Sequence, residues 1–176
     1  MKSMMDKKTL VLVLACTGLF SAASSANSAN IDITGTVVAS ACVINGNNTS
    51  LAMNLGDSIA ADSLATSGTT TAWASATLKV TGCPASTTSF SVTFTGDVDP
   101  TDANYYKNTG TATNLKLELT SESDALAYRN GIKLVNIPID NSTHAYDLNM
   151  RARAMSKGIV MPGTIKGQVQ ATFTYQ

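Results

Sequence analysis

Apolar and polar residues alternate along most of this chain with a period of two. The clearest run is Gly163 to Gln176, where Ile165, Gly167, Val169, Ala171, Phe173 and Tyr175 share one face and Lys166, Gln168, Gln170, Thr172, Thr174 and Gln176 the other. Successive side chains of a pleated strand point to opposite faces, so this run predicts a half-buried β-strand. The sequence stops there, with no turn, polar tail or further strand to cover it, and the strand is expected to stand at a sheet edge. Edges without charge, proline or a covering element recruit other chains. Recruitment is therefore a candidate function.

A second run of this kind lies between Asn27 and Val43. Ile31, Ile33, Gly35 and Val37 alternate with Asp32, Thr34 and Thr36, and the small Ala29 is next on the apolar face. The segment runs almost straight into Cys42 with no turn chemistry to fold it back, which predicts an extended apolar arm without a partner in its own domain. Between arm and edge the same period recurs. Shorter alternations are centred on Leu51, Met53 and Leu55, on Ala76, Leu78 and Val80, on Phe90, Val92 and Phe94, and on Leu115, Leu117 and Leu119. Ile132, Leu134 and Ile137 follow up to Pro138, and then Tyr146, Leu148, Met150, Ala152 and Ala154. Many short strands without a competing helical period predict an all-β sandwich.

Composition narrows the class. The 176 residues suit one domain, 14% are charged and the formal net charge is zero, against roughly 25% charged residues in a typical globular protein. With no charge block, nucleic acid and anionic membrane are not expected as partners. Lys2, Lys7 and Lys8 precede an apolar stretch from Leu10 to Phe20 and a run of small residues from Ser21 to Ala26. That order predicts a signal peptide over residues 1–26, cut after Ala26 or alternatively after Ala23. The apolar stretch is shorter than the ~20 residues that span a bilayer, so no membrane insertion is expected after cleavage. Cys16 would permit lipid attachment, a reading that the bulk of Leu14 disfavours.

Export leaves Cys42 and Cys83, which most simply form one disulfide, worth about 4 kcal/mol by loop closure. Two separate buried thiols are the alternative. A metal site finds little support, because His144 is the only histidine. Asp97, Asp99 and Asp102 lack the spacing of a calcium loop and read as a solvated acidic turn. Met53, Met150, Met155 and Met161 read as core packing. No nucleophile motif or phosphate-binding loop is present, so neither catalysis nor a cofactor is expected.

On these residues the chain resembles the type 1-like fimbrial (pilus) subunits of the chaperone–usher pathway of Gram-negative bacteria. The resemblance rests on Gly35-Thr36-Val37-Val38 entering Cys42, the Leu55-Gly56 step, the Leu78 to Cys83 strand, and the block from Met150 to Gln176 with its penultimate Tyr175 and Gly163 fourteenth from the end. It implies an incomplete immunoglobulin-like β-sandwich that lacks its last strand and is completed by donor-strand complementation. It assigns Ala29, Ile31, Ile33, Gly35 and Val37 to the donor strand. It assigns Gly163, Ile165, Gly167, Val169, Ala171, Phe173, Tyr175 and Gln176 to the groove and chaperone-binding strand. The corresponding segments are 1–26 for the signal peptide, 27–37 for the donor-strand extension and 38–176 for the pilin domain. The implied partners are a periplasmic chaperone, an outer-membrane usher and neighbouring subunits. The implied course runs through the periplasm to a surface fimbria that supports adhesion. A chain of this size leaves no room for an added receptor-binding domain, so a shaft or adaptor position is expected. The residues alone also permit a monomeric exported binding module, for glycan or another surface ligand, that completes its own sandwich.

Overall fold

The computed structural model describes residues 28–123 and 126–176. The signal peptide expected over 1–26, with Cys16 and both cleavage sites, and the first arm residue, Asn27, lie outside them. The chain divides after Thr36 into two units. In the first, the described residues 28–36 carry no secondary structure and are exposed throughout. Ile31 is 85% and Ile33 92% open to solvent. The strand expected here is not formed. Alternation gives a segment an apolar face, but a strand also needs a neighbouring backbone to bond its N–H and C=O groups.

The second unit, Val37–Gln176, contains nine strands among the described residues. They are β1 (Val43–Ile44), β2 (Ala74–Thr81), β3 (Ser89–Gly96), β4 (Val98–Asp99), β5 (Asp102–Lys107), β6 (Leu115–Ser121), β7 (Lys133–Pro138), β8 (Tyr146–Ser156) and β9 (Val169–Tyr175). One antiparallel sheet has the order β1-β2-β8-β6-β5-β4 and the other β7-β3-β9. Period-two patterning explains which faces meet. Along β8, Leu148, Met150 and Ala154 are buried while Asp147 and Asn149 are exposed. Central β3 is covered on both sides, with Phe90, Val92 and Phe94 buried on one and Ser91 on the other.

The main core gathers Val80, Phe90, Val92, Phe94, Tyr128 and Leu148 around the Cys42–Cys83 disulfide. Phe94 stacks on Tyr128 with centroids 4.5 Å apart, and Phe90 lies 5.6 Å from Phe173. A smaller cluster of Leu64, Ala112, Leu115, Ala154 and Val160 takes up Leu55, Ile59, Leu117 and Ile165 at its margin. The expected bridge is present. It joins the residue before β1 to the second residue after β2, across a sequence separation of 41.

Several sequence expectations need correction. The Leu51–Met53–Leu55 run keeps its half-buried alternation but forms no strand. The solvated acidic turn is instead the start of an unexpected β4–β5 hairpin. Only Asp97 of the three carboxylates is exposed; Asp102 pairs with Lys116 at 2.8 Å. The Asp99 side chain is 1% exposed and pairs with Lys157 at 2.7 Å. Burial alone would raise the Asp99 carboxyl, but hydrogen bonds from Lys157 and Thr101 outweigh it and hold the group below its ordinary range. Of the methionines read as packing, Met150 is buried, whereas Met161 is 57% exposed. The terminal strand begins at Val169 rather than Gly163. Upstream of it the chain leaves β3 and bonds to residues 109–112: the Thr109 N–H donates to Lys166 O at 2.8 Å and the Ala112 N–H to Thr164 O at 3.0 Å.

Candidate functional site

The two sheets have four outer strands, and three of them are blunted. Strands β1 and β4 are two residues long. Strand β7 opens on Lys133, closes on Pro138, carries Asn136 at a φ of 54° and pairs with β3 through a register shift. Charge, proline, irregularity and shortness are the usual protections of a sheet edge. Strand β9 has none of them. It pairs with β3 through seven consecutive residues, Phe90↔Tyr175 to Gly96↔Val169, without a shift, and its sequence is free of charge and proline. Among the described residues no strand lies on its other side.

Beside that edge runs a groove of about 1540 Å³. One wall is the terminal segment, with Ile165, Gly167, Val169, Ala171 and Phe173. The opposite wall is the irregular stretch of Leu51, Met53, Leu55 and Ile59, and the floor is formed by Leu78, Leu117, Leu119, Met150 and Ala152. Most of these apolar side chains are neither buried nor exposed, as expected of core positions lacking one layer of cover. At one end of the groove Tyr106, whose phenol is pushed up to about 12 by burial, donates to Tyr128 O at 2.8 Å.

The predicted site residues divide accordingly. Ile165, Gly167, Val169, Ala171 and Phe173 line the groove. Tyr175 and Gln176 lie at its far end. Burial raises the Tyr175 phenol, and its hydrogen-bond partner is the Cys42 backbone; Gln176 exchanges backbone bonds with Ser89. Gly163 precedes the groove and serves close approach, since a Cβ there would collide with the backbone of Thr111 and Ala112. Gly167 is similar, but the atom in its way is the tip of the Leu117 side chain. Leu117 therefore fills the groove at the level of Gly167. Arm residues Ala29, Ile31, Ile33, Gly35 and Val37 are all exposed. The floor and the Leu51–Ile59 wall were not among the predicted site residues. Their sequence signal was an apolar face with no visible partner. Among the described residues no cluster of three or more His, Cys, Asp or Glu is placed to hold a metal.

Two sheets, one strand short beside a regular edge, define an incomplete immunoglobulin-like sandwich. The chain belongs to the fimbrial protein family, whose model matches residues 31–176, and is a structural pilus subunit. It is 32% identical over 164 residues to protein FimG of Escherichia coli K12, covering 93% of this chain and 95% of that protein. The P pilus rod subunit PapA shares the fold with a TM-score of 0.61 at 15% identity, over 84% of this chain and all of PapA. A subunit of a chaperone–usher pilus aligns with a TM-score of 0.62 at 14% identity, over 85% of this chain and 96% of the other.

Proposed function

We propose that the groove is completed by a β-strand donated from another chain, and that the arm, residues 27–37, is the strand this subunit donates to its neighbour. The observation that carries the reading is the unguarded edge of β9 over an apolar groove. Strand addition satisfies the open backbone groups through main-chain bonds, and alternate side chains fill the pockets. Burial of Ile31, Ile33 and Val37, now 85%, 92% and 100% exposed, would stabilise the contact by about 1.5 to 3 kcal/mol each.

Side-chain size selects direction and register. Level with Gly167 the groove is already filled by Leu117, and the arm position without a side chain is Gly35. An antiparallel arm with Gly35 beside Gly167 brings Val37 level with Ile165, Ile33 with Val169, Ile31 with Ala171 and Ala29 with Phe173. The large Ile31 then opposes the small Ala171, and the small Ala29 opposes the large Phe173. A shift of two residues either way would set Ile33 or Val37 against Leu117.

Before assembly the same edge suits a strand from a periplasmic chaperone, with Tyr175 and Gln176 at the end of the handle. An outer-membrane usher would then pass subunits to the cell surface. Ile33→Asp tests the donating half. It places a carboxylate in the middle of the arm's apolar face, where unpaired burial costs several kcal/mol, and leaves the groove intact. The variant is expected to co-purify with chaperone and to accept a wild-type arm peptide, yet to fail as a donor in fibre assembly. Unfolding of the isolated variant would instead show the arm to be an internal strand and favour a self-completed binding module.

A further inference from the structure

Strand donation fixes where the donating domain must stand. The Thr87 hydroxyl donates to Ser40 O at 2.8 Å, and the neighbouring Thr88 N–H donates to Gln176 O at 2.9 Å. From Ser40 onward the chain is thus pinned at the Gln176 end of its own sandwich. Val37 lies three residues earlier, and three residues of extended chain reach at most ~11 Å. With Val37 seated beside Ile165 of a neighbour, the Gln176 end of the donor is held against the Ile165 end of the acceptor. The contact is head to tail, using different surfaces on the two chains.

The acceptor's surface at that end is apolar without a use in its own fold. Ile159 is 71% and Met161 57% exposed, on either side of Val160 at 7%. Val160 packs in the small cluster that also takes up Ile165, so the exposed pair flanks the mouth of the groove. The backbone there is fixed: Asn114 Nδ2 donates to Ile159 O at 2.6 Å, the Ser156 hydroxyl to Gly158 O at 2.6 Å, and the Thr164 N–H to Thr111 Oγ1 at 2.8 Å. Two large apolar side chains are therefore held outward on a braced turn. On the donor, Val38 is 77% exposed, and in an extended segment it faces away from Val37, out of the groove.

We infer that Ile159 and Met161 form a second intersubunit contact, covered by Val38 and the adjoining Gln176 end of the subunit whose arm fills the groove. The inference rests on the strand-donation reading, and one experiment separates the two. Fibres of the full chain are treated with dilute peroxide, and oxidation of Met161 is followed by peptide mass relative to the urea-unfolded chain. The same fibres are exposed to a protease that cuts before aspartate, reporting on Asp32 in the arm. An uncovered Met161 at 57% exposure would oxidise only about twofold slower than the unfolded chain, whereas a covered one is expected to be slowed at least tenfold, roughly. Slow Met161 oxidation with Asp32 protected supports the contact. Fast Met161 oxidation with Asp32 protected overturns it and leaves strand donation standing. Cleavage before Asp32 in intact fibres removes strand donation and this contact with it.

Discussion

Gly163 and Gly167 both make room by lacking a side chain, but what stands in that room differs, and alanine at the two positions should fail in different ways. At Gly163 the obstructing atoms belong to the backbone of Thr111 and Ala112, which cannot move without breaking the local pairing. That pairing is the Ala112 N–H to Thr164 O bond at 3.0 Å and the reciprocal Thr111 and Thr164 bonds at 3.1 and 2.8 Å. At about 0.5 to 1.5 kcal/mol for each bond, Gly163→Ala should cost about 2 to 4 kcal/mol. At Gly167 the obstruction is the end of the Leu117 side chain. Leu117 can rotate, so the cost in stability is about 1 kcal/mol, the low end for overpacking, but the added methyl crowds the level of the groove that Leu117 already fills. Urea titration of the refolded chain at high dilution, followed by the fluorescence of its single tryptophan, Trp73, reads the first effect. Uptake of a peptide spanning residues 28–38 reads the second, and Gly167→Ala should weaken it about tenfold, or 1.4 kcal/mol. An unchanged urea midpoint for Gly163→Ala would refute the close approach. Normal peptide uptake by Gly167→Ala would refute the placement of Leu117 as the filled level of the groove.

The buried Asp99–Lys157 pair predicts acid sensitivity of a definite sign. The Asp99 carboxyl is held below its ordinary value, so its contribution is complete above the unfolded value near 3.9 and is lost as pH falls through the native value. Lys157→Met strands the carboxylate and should cost about 2 to 3 kcal/mol near neutral pH, below the full figure for a wholly buried pair because Lys157 keeps some exposure. Urea midpoints of wild type and variant between about pH 5 and pH 3 check both statements, and equal slopes would count against the pairing. Reduction of the Cys42–Cys83 bridge should lower stability by about 4 kcal/mol, measured in the same titration with and without reductant. Alkylation of the denatured, unreduced chain should label neither cysteine.

Most strands were legible because a sandwich core imposes period two on any segment with one covered face. Leu115, Leu117 and Leu119, or Phe90, Val92 and Phe94, can satisfy that pattern in only one way. The exceptions follow from what alternation does not encode. Leu51, Met53 and Leu55 alternate because they line a wall, yet no neighbouring backbone is available to make them a strand. The arm alternates without a strand of its own, as the proposed donation to another chain requires. Strand β5 was hidden because its sequence, Asp-Ala-Asn-Tyr-Tyr-Lys, carries little apolar period: only Tyr106 is buried, and pairing with β4 and β6 makes it a strand. Asp99 looked solvated because its partner Lys157 is 58 residues away in sequence. The edge of the groove was readable from the terminal run, but its floor was not, since Leu78, Met150 and Leu117 come together only when β2, β8 and β6, far apart in sequence, pair side by side in one sheet. The exposed Met161 was misread because a methionine in an apolar context resembles packing until the surface around it is known.

The arm and the groove of one chain are chemically matched, which raises the question of what would favour a neighbour's groove over the chain's own. Reach supplies the answer for the antiparallel direction. Ser40 is pinned beside Thr87 at the Gln176 end, and Val37 can lie no more than ~11 Å from it. Ile165, the position Val37 must match, is eleven residues back along the terminal segment, about 36 Å at strand rise. The opposite direction is within reach, since the arm could run back from the Gln176 end alongside β9. It would then be parallel to β9, and with Ser40 level with Gln176 the alternation places Gly35 at Ala171, Ile33 at Val169 and Ile31 at Gly167. Ile31 would meet the Leu117 side chain that already fills that level, while Gly35 would leave the Ala171 level empty. The one direction that fits the side chains is too far for the chain's own arm, and the one direction in reach misfits them. Under the proposed strand donation, linker length and the placing of a single glycine turn a sandwich that could have closed on itself into one that closes on another chain.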